Sequence, residues 1–357
     1  MPLTGREVRL VRRPAGRLQP GCLEVVESAV PALRDGEVLV PNTWLSVDAA
    51  VRLRLDGTTP DGYLPPLPLH EPLIGLAVGE VVESRTPDFR PGDVVTHAQG
   101  YREYAVVRPD AGPLAGAGGL STVDTAVAPA QAYLGVLGHI GLTAYGGLLE
   151  VAALRPGDVV WVSAAAGAVG SVAAQIARLR GHTVIGSAGS AEKVAYLLEE
   201  LGLDAAFDHR DGDLGALLLA AAPTGIDVYF DNVGGGHLAA ALAGLREGGR
   251  VALCGAVGQY DGAPSSPAGD LFPVVAKSLQ LRGFRAGQFL DRSQEMRSAL
   301  APLVAQGRLA LREHVVDGIE SAPDALVALL QGANTGKVLV RLVSPASGAG
   351  PRAVPAP

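Results

Sequence analysis

The chain has 357 residues, 48% of them hydrophobic and 18% charged, with a formal net charge of −7. That length suits about two domains with a sizeable core. The acidic balance speaks against nucleic-acid binding, no apolar run reaches about 18 residues to suggest a membrane span, and Cys22 and Cys254 alone make neither a disulfide framework nor a thiolate metal site.

The opening stretch MPLTGREVRLVRR has no apolar signal-peptide core, so a reducing, cytoplasmic setting is expected. Residues up to 136 are rich in valine, proline and glycine, with short runs such as Glu37-Val38-Leu39-Val40 and Gly79-Glu80-Val81-Val82-Glu83. These predict short strands in an irregular, barrel-like β domain. From Leu137 helix and strand alternate, which predicts right-handed βαβ units and a parallel sheet. Its strands are predicted at Val159–Val162, Thr183–Gly186, Ala205–Asp208, Val228–Asp231, Arg250–Cys254 and Leu279–Phe284, with helices such as Glu192–Leu201, His237–Leu245 and Met296–Gln306. Leu311–Val316 and Gly336–Leu342 read as strands returning to the first domain. The fold class is therefore α/β: a doubly wound sheet over 137–310, a β domain built from 1–136 and 311–343, and a disordered tail over 344–357.

The segment Val159–Gly181 carries the most chemistry. A buried strand runs into Ser163-Ala164-Ala165-Ala166-Gly167-Ala168-Val169-Gly170 and then into a helix with apolar spacing at Val172, Ile176 and Leu179. Strand, small-residue turn and helix suit a dinucleotide pyrophosphate, because the backbone can approach and the first N–H groups of the helix face the anion. Ala164 stands where the common fingerprint has its first glycine, and the same kind of turn also packs helices on strands for purely structural reasons. About 20 residues on, an NAD site carries an acid for the adenosine ribose. Here Gly186-Ser187-Ala188-Gly189-Ser190-Ala191-Glu192-Lys193 offers Ser190 and Lys193 instead, and Arg210 is placed to close the pocket. A hydroxyl with two cations suits a phosphomonoester, so NADP(H) is expected rather than NAD; the alternative is that Lys193 is a solvated helix residue.

His70-Glu71 is reminiscent of zinc alcohol dehydrogenases, but a catalytic zinc needs about three protein ligands. Cys22 and Cys254 lie far apart, and Ser46-Val47-Asp48 stands where the first cysteine ligand would be, so no metal is expected. No Gly-x-Ser-x-Gly elbow occurs.

Five motifs occur in one order: Tyr133–Tyr145 (YLGVLGHIGLTAY), the glycine turn, Ala188–Lys193, Tyr229–Gly235 (YFDNVGG) and Cys254–Tyr260 (CGAVGQY). Together with Leu45–Asp48, Arg52 and Asn334–Val338, this series resembles the zinc-independent medium-chain dehydrogenase/reductases, in the leukotriene hydroxydehydrogenase/prostaglandin reductase branch that includes alkenal and curcumin reductases. The resemblance covers Val8 to Leu342. It implies a GroES-like β domain on a Rossmann domain, a homodimer, and NADPH-dependent reduction of the C=C bond of a small-molecule enone or enal. By position it assigns Ala164, Gly167, Ala168, Val169 and Gly170 to the pyrophosphate, and Ser190, Lys193, His209 and Arg210 to the 2′-phosphate. Asn232, Cys254, Gly255 and Asn334 fall along the nicotinamide half, and Tyr260 on the tyrosine proposed to polarise substrate or deliver a proton.

Several positions depart from the family. His209 replaces a tyrosine, Ala49-Ala50-Val51 replaces a bulkier Pro-Tyr-Met-like stretch, and His139-Ile140 replaces Met-Pro. Asp48 and Arg52 are expected to form a structural ion pair. Quinone reduction and non-catalytic NADPH binding are the alternatives the sequence leaves open.

Overall fold

The computed structural model describes residues 2–19, 21–110, 119–262, 270–310 and 312–342. The expected tail at 344–357 and the start of the returning strand at Leu311 lie outside the described residues.

Strands β1 (Thr4–Leu10), β2 (Leu23–Ala29), β3 (Val38–Ser46), β4 (Ala77–Glu80), β5 (Glu83–Ser84), β6 (Val94–His97), β7 (Tyr104–Val107) and β8 (Ser121–Thr122) come first. Next come β9 (Val159–Val162), β10 (Thr183–Ala188), β11 (Ala205–Asp208), β12 (Ile226–Asp231), β13 (Leu245–Leu253) and β14 (Gln280–Gly283), then β15 (Glu313–Asp317) and β16 (Lys337–Arg341). The helices are α1 (His139–Gly146), α2 (Ala168–Leu179), α3 (Ala191–Ala195), α4 (Leu214–Ala221), α5 (Gly235–Gly244), α6 (Val257–Tyr260), α7 (Phe272–Ala276), α8 (Ser293–Ala305) and α9 (Ala322–Leu330).

β9 to β14 form a parallel sheet in the order β11-β10-β9-β12-β13-β14. Both of its faces are buried, as a parallel sheet with helices on each side requires. Along β9, Val160 and Val162 join one core with α1 and α2, while Trp161 joins the other. Along β12, Val228 and Phe230 face the first core and Tyr229 the second, which is the two-residue alternation of a strand. A second sheet runs β15-β16-β3-β4-β6-β8, with β5 and β7 also on β3. The returning β16 pairs antiparallel with β3, setting Leu339 opposite Ser46, and its Val338 and Val340 pack with Val8, Leu45 and Ile319.

The order of the parallel sheet reverses between β9 and β12, and ligands of such sheets bind in the crevice outside the strand ends at that point. Several element bounds differ from expectation, two of them beside the crevice. The strand read as Arg250–Cys254 begins at Leu245 and ends at Leu253, so Cys254 sits just beyond it. The helix read as His237–Leu245 starts at Gly235, because Gly234 turns the chain at φ 74°, and it stops when Leu245 becomes extended.

Candidate active site

The turn after β9 lies at the crevice. Gly167 is the N-cap of α2, and Ser171 N donates to Gly167 O as the first helical bond. The preceding N–H groups of Ala168, Val169 and Gly170 therefore have no acceptor within their own helix, and with the helix dipole they form an anion-binding end. A Cβ on Gly170 would lie 2.3 Å from Ala164 O, so glycine is required for this approach. Ala164 adopts φ 46°. That left-handed conformation costs a non-glycine residue about 1–2 kcal/mol, so alanine at the fingerprint's first position sits in a glycine-like backbone.

The end of β10 bears no acid. Ser190 caps α3, its hydroxyl accepting from Lys193 N at 3.3 Å. Lys193 donates from Nζ to Gly332 O at 2.6 Å. Burial, with the neighbouring Arg210 guanidinium, lowers the Lys193 pKa, although Glu192 opposes this. The Arg210 guanidinium lies beside Gly189, where a Cβ would meet Nη2 at 3.3 Å, and the His209 ring lies there too, with Cε1 at 3.0 Å from the same point. Among the described residues neither Lys193 nor Arg210 forms a salt bridge. Two like charges held together, neither of them in a salt bridge, make a pocket suited to a multiply charged anion. His209 Nδ1 is 2.6 Å from Ala188 O, and its ring meets that of His237 at 5.1 Å.

Beyond β9 and β12 a buried network sets the other end. Asp231 Oδ1 accepts from Tyr229 Oη at 2.8 Å, Val233 N at 2.9 Å and Gly234 N at 2.8 Å. Ser163 Oγ accepts from Asn232 N and donates to Tyr229 Oη at 3.0 Å, and Asn232 Nδ2 donates to Ser163 O at 2.7 Å. Burial raises the Asp231 pKa despite these donors, and its Oδ2 is buried without a partner. Cys254 N and Gly255 N both donate to Asp231 O. Burial pushes the Cys254 thiol up to about 12, so it stays protonated and is a poor nucleophile.

Tyr260 ends α6, half-buried. Its Oη accepts from Ala256 N at 3.1 Å and lies over Gly255, where a Cβ would come within 2.9 Å. With a backbone N–H already on its oxygen, the phenol has its own proton left to donate. Burial, reinforced by Tyr63, Cys254 and Asp231, raises its pKa despite the Ala256 bond. Asn334 is buried, donates from Nδ2 to Gly336 O at 2.8 Å, and belongs to a loop tied to the glycine turn through Gly336 N to Ala166 O at 2.7 Å. The turn, the β12 end and the Asn334 loop thus meet at one crevice, with Ser190, Lys193, His209 and Arg210 at its other end.

Side chains from the β domain complete the cleft. Asp48 does not pair with Arg52, contrary to the expectation above. Asp48 Oδ1 is 3.3 Å from Lys337 Nζ, and Ser46 Oγ donates to its Oδ2 at 2.5 Å. Burial pushes Asp48 up, but Lys337, Ser46 and His139 together hold its carboxyl below the usual range. Arg52 instead meets Asp56 and Asp261. Asp48 is the N-cap of the short 3-10 helix Ala49–Arg54 and Arg52 lies inside it, so closeness in the chain does not join the two side chains. His139 is exposed, and desolvation by the surrounding protein, with Lys337, lowers its pKa despite Asp48. His70 is an exposed turn residue at φ 63°. Among the described residues no three His, Cys, Asp or Glu side chains gather as a metal site.

Sequence reasoning passed over Tyr63, Asp231, Ser163 and the buried Lys337. The Tyr229-Phe-Asp-Asn segment contained a signal for one of them, since an acid at the end of a buried strand needs donors. Tyr63 gave no signal, because it stands in an irregular proline-rich loop.

The N-terminal part, residues 6–113, matches the family described as N-terminal domain of oxidoreductase, and residues 168–306 match that described as zinc-binding dehydrogenase. The chain is 36% identical to the NADP(+)-dependent 2-alkenal reductase of Nicotiana tabacum, over 85% of this chain and 87% of that protein. It is 36% identical to prostaglandin reductase 1 of Mus musculus, over 90% of this chain and 94% of that protein. The crystal structure of CurA in complex with NADPH from Vibrio vulnificus superposes with a TM-score of 0.86 at 34% identity, covering 95% of this chain and all of that one (100%). The turn, the acid-free β10 end and the Tyr260 segment thus fall within a shared framework, and the chain belongs to the zinc-independent medium-chain dehydrogenase/reductases, in the branch of the alkenal, curcumin and prostaglandin reductases.

Proposed function

We propose that the chain is an NADPH-dependent reductase of the C=C bond of α,β-unsaturated ketones and aldehydes. The observation that carries this reading is the Tyr260 hydroxyl, which accepts from Ala256 N and keeps its proton for a substrate oxygen above Gly255. The glycine requirement at Gly170 and the unpaired cations Lys193 and Arg210 fit the two phosphate groups of the cofactor. Ala164, Gly167, Ala168, Val169 and Gly170 would hold the pyrophosphate; Ser190, Lys193, His209 and Arg210 the 2′-phosphate; Asn232, Cys254, Gly255 and Asn334 the nicotinamide half. Relatives named for NADP and NADPH support the same choice.

When bound, NADPH supplies a hydride for the β-carbon of the enone. As the substrate accepts it, negative charge develops on the carbonyl oxygen, so the site needs an aimed donor more than a nucleophile. Tyr260 meets that need, and its raised pKa keeps the donor protonated through neutral pH. A proton from solvent would then add at the α-carbon as the enolate collapses to the saturated carbonyl. Tyr63 of the β domain adds to the raised pKa of Tyr260.

The test is NADPH oxidation with an enone, with a quinone and with no acceptor, plus identification of the product. A saturated ketone or aldehyde is expected, and Tyr260→Phe should slow turnover by about 10- to 100-fold, within the range for losing one such donor, while NADPH affinity barely changes. Turnover of the quinone alone would replace the reading with quinone reduction, and binding without turnover would leave an NADPH-binding protein.

We also propose a homodimer, supported by the exposed apolar residues Leu271, Phe272 and Val275 at and beside α7, which packs near the β14 edge of the parallel sheet. The assignment of 1–136 with 311–343 to the substrate-facing domain and 137–310 to the cofactor domain belongs to the same reading. So does a cytoplasmic setting, supported by the two free cysteines; no helix among the described residues is long and apolar enough to cross a membrane.

A further inference from the structure

Arg52 is one of the largest side chains buried in the molecule, at 2% exposure, and it lies in the β domain. Its Nε donates to Asp261 Oδ1 at 2.9 Å, its Nη1 to Asp56 Oδ1 at 2.9 Å, and its Nη2 to Gly16 O at 2.6 Å. Asp261 immediately follows Tyr260, and its Oδ1 also accepts from Leu18 N at 2.6 Å. The next residue, Gly262, turns at φ 71°, where an added Cβ would lie 2.6 Å from Gly16 C. Thus the chain leaving Tyr260 is fastened to the β domain by an ion pair, a backbone donor and a backbone-to-backbone approach.

The segment being fastened has little order of its own. α6 is a single turn of four residues, too short to support itself. Asp261 leaves helical geometry at φ −103°, ψ 56°. The hydrogen bond that fixes the Tyr260 hydroxyl, from Ala256 N, closes within this same turn. Whatever holds Asp261 therefore sets where the hydroxyl stands relative to Gly255. A buried guanidinium with three ordered acceptors is a stiff anchor, because each lost bond would strand a desolvated group.

We propose that Arg52 and Asp261 are positioning residues: their buried ion pair clamps the turn ending α6 onto the β domain and thereby aims the Tyr260 hydroxyl into the cleft. The proposal rests on the reading of Tyr260 as the substrate-facing donor. It also gives the two domains a joint role, since Arg52 stands in the 3-10 helix Ala49–Arg54 of the β domain and Tyr260 in α6 of the cofactor domain.

The clamp is tested with Asp261→Ala, Asp261→Asn and Arg52→Lys, each alone and combined with Tyr260→Phe. Asp261→Ala should lower kcat for enone reduction at least 10-fold with less than a 3-fold change in the NADPH dissociation constant. Asp261→Asn, which keeps the Oδ1 acceptor, should recover most of that loss. In the Tyr260→Phe background Asp261→Ala should cost less than a further 2-fold, because the group it positions is already gone. Amide hydrogen exchange of peptides spanning 254–262 should quicken in Asp261→Ala and Arg52→Lys while the β9–β13 strands keep their rates. Equal losses with and without the Tyr260 hydroxyl, or unchanged exchange in 254–262, would overturn the clamp. If Asp261→Ala does not fold, Arg52→Lys carries the same cycle. Should Tyr260→Phe itself leave turnover unaltered, the donor reading of Tyr260 falls. The exchange rates then decide the clamp alone: faster exchange upholds it, unchanged exchange overturns it.

Discussion

The two ends of the crevice are built differently. At the phosphate end the groups that matter are backbone N–H donors of one turn and side chains from the ends of two neighbouring strands, β10 and β11. At the proposed substrate end they are side chains from separate places: Asp48 and Tyr63 from the β domain, His139 from α1, Tyr260 from α6 and Lys337 from β16. Backbone geometry tolerates few sequences, as the 2.3 Å approach to Gly170 illustrates, whereas an assembly of side chains can change one member at a time. The phosphate end therefore fixes the cofactor class, and the substrate end is where this chain can differ from its relatives.

Substitutions at the phosphate end should weaken NADPH without changing which substrates are reduced. The largest effect is expected from replacing Lys193 and Arg210 together by alanine. Losing two charge-assisted contacts of about 1.5–3 kcal/mol each should weaken NADPH by roughly 100-fold or more, read by fluorescence titration, and leave NADH unchanged. Equal loss for both nucleotides would move the 2′-phosphate elsewhere.

Acid should act on the scaffold around both ends. Burial, with Arg102 nearby, lowers the His97 pKa from 6.5 to about 3, and burial, with His209, lowers that of His237 to about 4. The folded state thus binds these protons less readily than the unfolded chain. Stability is full above pH 6.5 and declines as pH falls through the window toward those folded values, by about 3 kcal/mol at pH 4 for His97 alone. Chemical denaturation at stepped pH checks the slope, and His97→Gln should flatten it.

Gly170→Ala should cost about 1–3 kcal/mol by overpacking against Ala164 O. The same substitution should weaken NADPH, which calorimetry would record. The smallest effect is expected at the opposite side of that turn. Ala164→Gly relieves the φ 46° conformation but adds freedom to the unfolded chain, so stability should change by less than about 1 kcal/mol with the cofactor affinity intact.

The same contrast decides what the sequence makes legible. The strand, turn and helix of Val159–Leu179 are contiguous, and periodicity with small residues reveals them directly. Ser190 and Lys193 were readable because they follow the next strand at the place where an acid would otherwise stand. The Arg52–Asp261 pair joins residues 209 positions apart, and no local pattern couples them. Asp48 looks like a partner for Arg52 because they are close in the chain, but the fold gives Asp48 to Lys337 and Arg52 to Asp56 and Asp261. Tyr63 sits in a loop without periodicity, so only the folded chain brings it toward Tyr260.

The central claim concerns the atom that receives the hydride. Incubating the protein with a simple enone and NADPH deuterated at the transferred position, then reading the product by NMR, tests it most directly. The account predicts a saturated carbonyl compound carrying deuterium at the β-carbon. Deuterium on the carbonyl carbon, with the C=C bond intact in an allylic alcohol, would contradict it.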